Sequence, residues 1–326
     1  MKENKILALG IPTCNRPDLV ISSIERAIAM EIYDQIIVSS NSHEEKIDNF
    51  IYNLRRKEIT YYKQDNNIGM SLNYAQVIKL CECKYLHIVS DEDSINEENV
   101  KDFRSMLAGV DDTSVFVLSI LNIDGDKYKD TISKNNTSLN DVCGDTGHIG
   151  SSIINVAAWG QRDFGEMDLY CQRKGDVYPT SAAALISYSI GGTMAYYNPP
   201  LVEMGKPHHE SEMGGLHIYR FEPRLVQFIS FFLLIDSVKV KNKIKIYIYI
   251  FIFFSHHALC GAIRRVCPDD RPIKICKSVL RTNNLSVRSK SALYTLMLAY
   301  YSFQFAYFIR DLWQWVKNKT QNKIDH

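Results

Sequence analysis

An α/β fold is predicted by two observations. Strand-like and helix-like hydrophobic patterns alternate through the first two thirds of the chain, and short polar loops follow the strand-like runs. A third observation bounds the domain. From Phe221 onward the alternation stops and the chain becomes apolar, aromatic and basic, so the α/β domain is expected over residues 1–221 and a helical, apolar and basic region over 222–326.

The elements follow in order. Ile6–Ile11 reads as a buried strand stopped at Pro12, and a helix is expected from Asp18 to Met30, with Leu19, Ile24, Ala27 and Ile28 on its apolar face and Asp18 or a neighbour as its cap. Gln35–Ser39 is a second strand and Glu44–Arg56 a second helix. Ile59–Gln64 is a third strand and Ser71–Cys81 a third helix; Tyr85–Val89 is the fourth strand. Val115–Leu121 reads as a further strand, and Asp124–Val142 as a long polar excursion. This is the repetition of a nucleotide-binding half-domain.

Composition narrows the function. An apolar content of 46% suits a sizeable core, and a net charge of +1 without an arginine-rich arm argues against a dedicated nucleic-acid binder. The eight cysteines form no CxxC pair, and Cys81-x-Cys83 is too tight for zinc, so reduced structural cysteines in a cytoplasmic protein are expected. No secretory signal is read, because Ile6–Ile11 is a short apolar run with Pro12 and Arg16 close behind it.

The chemistry lies in four loops at the carboxyl ends of the strands, where open α/β sheets bind ligands. The fourth strand runs directly into Asp91-Glu92-Asp93. In an extended or gently bent backbone Asp91 and Asp93 point the same way, and two hard oxygen ligands suit Mg²⁺ or Mn²⁺ shared with substrate phosphates. Taken alone, three adjacent carboxylates are more often a solvated loop. The first loop, Pro12-Thr13-Cys14-Asn15-Arg16, offers backbone groups and a guanidinium for a base and a diphosphate. The second, Ser39-Ser40-Asn41-Ser42, offers hydroxyls and an amide to a base or ribose, or else caps the next helix. In the third, Asn66 and Gly69 precede a helix whose N–H groups face outward, with Asn73 one turn further on.

Ile-Pro-Thr-x-Asn-Arg at the first strand, Asn66-x-x-Gly69-x-x-x-Asn73, and Ser90-Asp91-Glu92-Asp93 as a DxD element together resemble a family 2 glycosyltransferase. The resemblance continues through Gly147–Ile154, similar to the acceptor-side segment, and ends at Asn198-Pro199-Pro200-Leu201-Val202, similar to the closing strand. It implies the GT-A fold, a mixed, mostly parallel central sheet flanked by helices. The nearest likeness is to bacterial enzymes of O-antigen or capsule synthesis. The resemblance implies that Pro12, Thr13, Asn15, Arg16, Ser40, Asn41, Asn66, Gly69, Asn73, Asp91 and Glu92 bind a nucleotide-diphosphate sugar. Asp93 and Asp91 would hold Mn²⁺ or Mg²⁺, with His208 or His209 completing the shell. The family commonly has an acidic residue after the second strand; here Ser39, Ser40 and Asn41 fill that turn.

An inverting reaction needs a general base, and Glu166, Asp168 and Asp176 follow the acceptor-side segment. A lipid-linked (polyprenyl-diphosphate) oligosaccharide is the expected acceptor, with the protein peripheral on the inner face of the inner membrane. Ile244–Ile263 has spanning length, but Lys245, Ser255, His256 and His257 interrupt it. A surface-lying helix beside Lys239–Lys245, with Trp313 and Trp315 as interfacial anchors, fits better. Alternatively these segments pack on the sheet or on a second subunit of a homodimer. Two rival functions stay open: a metal-dependent phosphoryl-transfer enzyme, and a non-catalytic assembly subunit with a degenerate nucleotide fold.

Overall fold

The computed structural model describes residues 5–42, 45–110, 113–122, 124–128, 147–172, 179–205, 230–231, 233–238 and 290. The strands are β1 (Leu7–Thr13), β2 (Gln35–Ser40), β3 (Ile59–Lys63), β4 (Tyr85–Ile88), β5 (Ser94–Ile95), β6 (Val115–Leu121), β7 (Lys127–Tyr128), β8 (Ser152–Asn155) and β9 (Met194–Glu203). They form one sheet in the order β3-β2-β1-β4-β8-β6-β9-β5, with β7 added to β6. Parallel pairing joins β3, β2, β1 and β4, and also β6 and β9; β8, β5 and β7 pair antiparallel with their neighbours. Six of these nine strands run the same way, so the sheet is mixed and mostly parallel, as the resemblance implied.

Helices cover both faces, which makes the central strands apolar on both sides. Leu7, Leu9 and Ile11 of β1 join one core with Tyr85 and Phe116. That core is closed by α1 (Pro17–Met30), α2 (Glu45–Leu54) and α4 (Glu97–Leu107). Ala8 joins the opposite core with Leu86, Val115 and Ile154. This second core is closed by α3 (Met70–Lys79), α5 (Gln161–Gln172) and α6 (Pro179–Gly191). Gly10 lets α3 lie directly on β1, because a Cβ there would fall 2.3 Å from Cγ1 of Val77.

The first helix begins at Pro17 after Arg16, with no side-chain cap. The expected Asp18 cap is thus corrected: proline at the first position needs no N–H acceptor, and Asp18 instead pairs with Lys46. The helix α4 lies beyond the elements read from sequence. Asn96 caps it by accepting from the Asn99 N–H at 3.1 Å, and Glu97 and Glu98 suit its first turn. Phe103 docks it, standing edge-on between Phe116 and Tyr197 with ring centroids 5.0 Å from each. Past the composition boundary, Phe231, Leu234, Ile235 and Val238 are buried in the second core, and Phe231 meets Tyr170 edge-on.

Candidate active site

Backbone hydrogen bonds stitch the four loops together at the carboxyl edge. The Asn41 N–H donates to Thr13 O, the Gln64 N–H to Ser40 O and the Val89 N–H to Gly10 O, each at 2.9 Å. Side chains complete the stitching. Asn73 is buried on α3; its amide donates to Thr13 O and Ser39 O and its oxygen accepts from the Ser39 hydroxyl at 2.6 Å. Asn41 donates to Gly69 O at 3.0 Å and accepts from the Ile68 N–H. Gly69 sits at φ +86°, a conformation glycine adopts without strain, and its N–H is held by Asn67. Ser40 is buried and bonded to Ser42 O, while Asn15, at φ +55°, donates its N–H to the Ser42 hydroxyl. Pro12 is buried in register with Ser39, and Asn66 is exposed at the loop tip. The neutral turn after β2 therefore spends its side chains on holding its neighbours.

The acidic run is not extended. The Asp93 N–H donates to Ser90 O at 3.1 Å and closes a turn over residues 90–93, so the expectation of two parallel carboxylates is corrected. Asp91 and Asp93 take partners from different segments. Asp91 accepts from the Thr13 hydroxyl at 2.6 Å and lies 2.8 Å from Nη2 of Arg16. Nη1 of Arg16 donates to Glu92 at 2.7 Å. Asp93 accepts from the Gly205 N–H at 2.9 Å through Oδ1, whereas its buried Oδ2 has no hydrogen-bond partner. Gly205 follows β9, and a Cβ at that position would fall 1.9 Å from Glu92 O. Ser23 of α1 donates to Asp91 O at 3.1 Å.

Asp91 and Asp93 are only 1% and 4% exposed, and this decides their electrostatics. Burial pushes the Asp91 carboxyl up from its ordinary value, opposed by Arg16 and the Thr13 hydroxyl. Burial likewise pushes Asp93 up to about 7; the Gly205 N–H opposes this, while Glu92 and Asp91 add to it. Two buried carboxylates raised by desolvation at the mouth of convergent loops make this turn the candidate site. Among the described residues, no group of three or more His, Cys, Asp or Glu is arranged to hold a metal ion. The donor set nevertheless fits Mg²⁺ or Mn²⁺: two hard carboxylates, one with an unpartnered buried oxygen, leave positions for substrate phosphates.

The remaining candidates are placed unevenly. Asp168 of α5 pairs with Lys79 at 2.6 Å. Lys79 ends α3, whose first turn borders the loops, so a helix length of about 15 Å carries this pair away from the acidic turn. Glu166, half-buried two residues earlier, lies on a different face of α5. Asp176, His208 and His209 lie outside the described residues. Two contributors escaped the sequence reading. Gly205 has no local signature and meets the turn only through the fold. His87, fully buried in β4, shares a 3.3 Å hydrogen bond between Nε2 and Gly150 O, which fastens the 147–151 segment beside the acidic turn.

This sheet order, with an acidic turn after β4 bonded to the loop that follows β1, is the GT-A fold. The fold is shared with Staphylococcus aureus TarS, in its 1–349 form (TM-score 0.62) and in that form's complex with UDP-GlcNAc (TM-score 0.63). Each is 13% identical, over 88% of this chain and 83% of TarS 1–349, so the likeness is one of fold. In sequence, 28% of this chain is 29% identical over 96 residues to WcaA of Escherichia coli (strain K12), assigned by inference as a colanic acid biosynthesis glycosyl transferase. That match takes in 34% of WcaA. No family model matches the chain. The resemblance to glycosyltransferases read from the loops is thus met again by independent likenesses in fold and in sequence.

Proposed function

We propose that the protein is a glycosyltransferase of polysaccharide biosynthesis, moving a sugar from a nucleotide-diphosphate donor to a lipid-linked (polyprenyl-diphosphate) oligosaccharide of an O-antigen or capsule pathway. The observation that carries the reading is the buried acidic turn Asp91-Glu92-Asp93 at the meeting point of four stitched loops, with Arg16 as its counter-charge. The WcaA likeness supports polysaccharide synthesis, and the apolar and basic sequence beyond Glu222 supports a membrane-borne acceptor.

Breaking a sugar–phosphate bond leaves negative charge on the departing diphosphate. Asp93 and Asp91 would hold a divalent ion, which would supply Lewis-acid stabilisation of that charge. The chain's own residues prepare the site. Thr13 and Arg16 hold Asp91 in one orientation, Gly205 holds Asp93, and Asn73 and Asn41 keep the three nucleotide-facing loops in fixed relation. The base that activates the acceptor is proposed among Glu166, Asp168 and Asp176; Asp168 is engaged by Lys79, and Glu166 shares its helix and its distance from the acidic turn. His208 or His209 is proposed to add a metal ligand.

Titration calorimetry of the full chain with UDP, GDP, CDP and dTDP, with and without Mn²⁺, tests the reading. One nucleotide is expected to bind, and to need the ion. Binding of none of the four in the presence of Mn²⁺ would favour a non-catalytic assembly subunit.

A further inference from the structure

Arg16 occupies the acidic turn in a way that a donor-binding role alone does not require. Its guanidinium spans two carboxylates, with Nη2 2.8 Å from Asp91 and Nη1 2.7 Å from Glu92. The same side chain keeps Nε buried without a hydrogen-bond partner, and the same turn keeps Asp93 Oδ2 buried without one. A donor on Arg16 and an acceptor on Asp93 thus both remain unused. Pro17 restricts the backbone of Arg16 at the start of α1, which leaves the side chain as the part able to change partners.

Resting on the donor-binding reading, we propose that Arg16 is a built-in counter-cation. It holds the acidic turn while no donor is bound, opposes entry of a divalent ion alone, and transfers to the donor's diphosphate when ion and nucleotide arrive together. A divalent ion on Asp91 would share that carboxylate with a guanidinium, and like charges a few ångströms apart repel. A diphosphate reverses the balance. It brings negative charge, presents oxygens that match the guanidinium fork, and gives Nε an acceptor. Ion and nucleotide then favour each other through Arg16, and the coupling is reciprocal.

The test uses the full chain and binding alone. Mn²⁺ is titrated by electron paramagnetic resonance, without nucleotide and with the nucleoside diphosphate that the wild type takes, for wild type, Arg16→Gln and Arg16→Lys. Arg16→Gln is expected to bind Mn²⁺ alone about tenfold tighter and to bind the nucleotide with Mn²⁺ about tenfold weaker, a coupling of ordinary size. Arg16→Lys, keeping the charge but losing the fork, is expected to fall between. If Arg16→Gln binds Mn²⁺ alone no tighter, or binds the nucleotide with Mn²⁺ no more weakly, the counter-cation role is overturned while the donor reading stands. If the wild type binds no nucleoside diphosphate in the presence of Mn²⁺, the donor reading itself falls, and this role with it.

Discussion

Asp93 has one oxygen on the Gly205 N–H and another with no hydrogen bond, and its burial holds the carboxyl up near pH 7 rather than near its ordinary 3.8. A folded-state value above the unfolded one means that the folded protein binds more protons between these limits. Stability is therefore full below about pH 4 and lost as pH rises through about 7, by roughly 2–4 kcal/mol at the upper end. His87 runs the opposite way. Burial pushes it down to about 4, only partly opposed by its bond to Gly150, so acid destabilises the fold below about pH 6.5. The two slopes offset each other between pH 4 and 6.5 in the wild type. Asp93→Asn should expose the His87 slope by removing its rival. Without metal it should unfold at a higher temperature than wild type at pH 8, match it at pH 4, and show no metal-dependent transfer. Calorimetric melts at the two pH values, beside an activity assay, check this; equal melting of variant and wild type at pH 8 would count against it. Of the site's residues, Asp91 and Asp93 were legible because three carboxylates end an apolar run. Gly205 was not, since it acts 112 residues away through a backbone contact that no local pattern encodes.

At the scale of elements, the contact between β1 and α3 sets the height of the third loop above the first. Gly10 is the contact point, with Val77 filling the space that a side chain would take. Gly10→Ala should cost about 1–3 kcal/mol as overpacking, and Val77→Ala in the same chain should recover part of it. Denaturant melts of the two single variants and the double decide this, and strict additivity would argue against the direct contact. The strands β1 to β4 and the helices between them were readable because each carries a clear period and ends in turn residues. Other elements hide their period. The helix α6 is apolar nearly all round, because it is buried by the sheet, α5 and α3, and so shows no face. In β9, Pro199 and Pro200 interrupt a ten-residue strand, and β5 has two residues. By contrast α4 had its signs in the sequence, an Asn cap, two acids and Val100, Phe103 and Leu107 at helical spacing, and they went unread.

For the whole molecule, the composition boundary near Glu222 is less of a divide than it looks, because Phe231, Leu234, Ile235 and Val238 complete the second core. The membrane reading therefore rests on the sequence from Lys239 onward. Among the described residues, no helix is long and apolar enough to cross a membrane. The full chain should float with vesicles containing anionic lipid and be released by salt, and reversing Lys239, Lys241, Lys243 and Lys245 to Glu should weaken flotation several-fold. A full chain left in the pellet fraction with anionic vesicles would sink the peripheral assignment. The sheet carries a different kind of consequence. Antiparallel pairing of β4 with β8 matches His87 to Ile153, so the acidic turn beyond β4 and the 147–151 segment before β8 leave the same end of one ladder. Any shift of that ladder by a single residue would turn Ile153 and Ile154 to the wrong cores. Variation in what that end of the sheet can take up must then come from exchanging side chains on a frame of fixed spacing, in the way that different keys are cut from one blank.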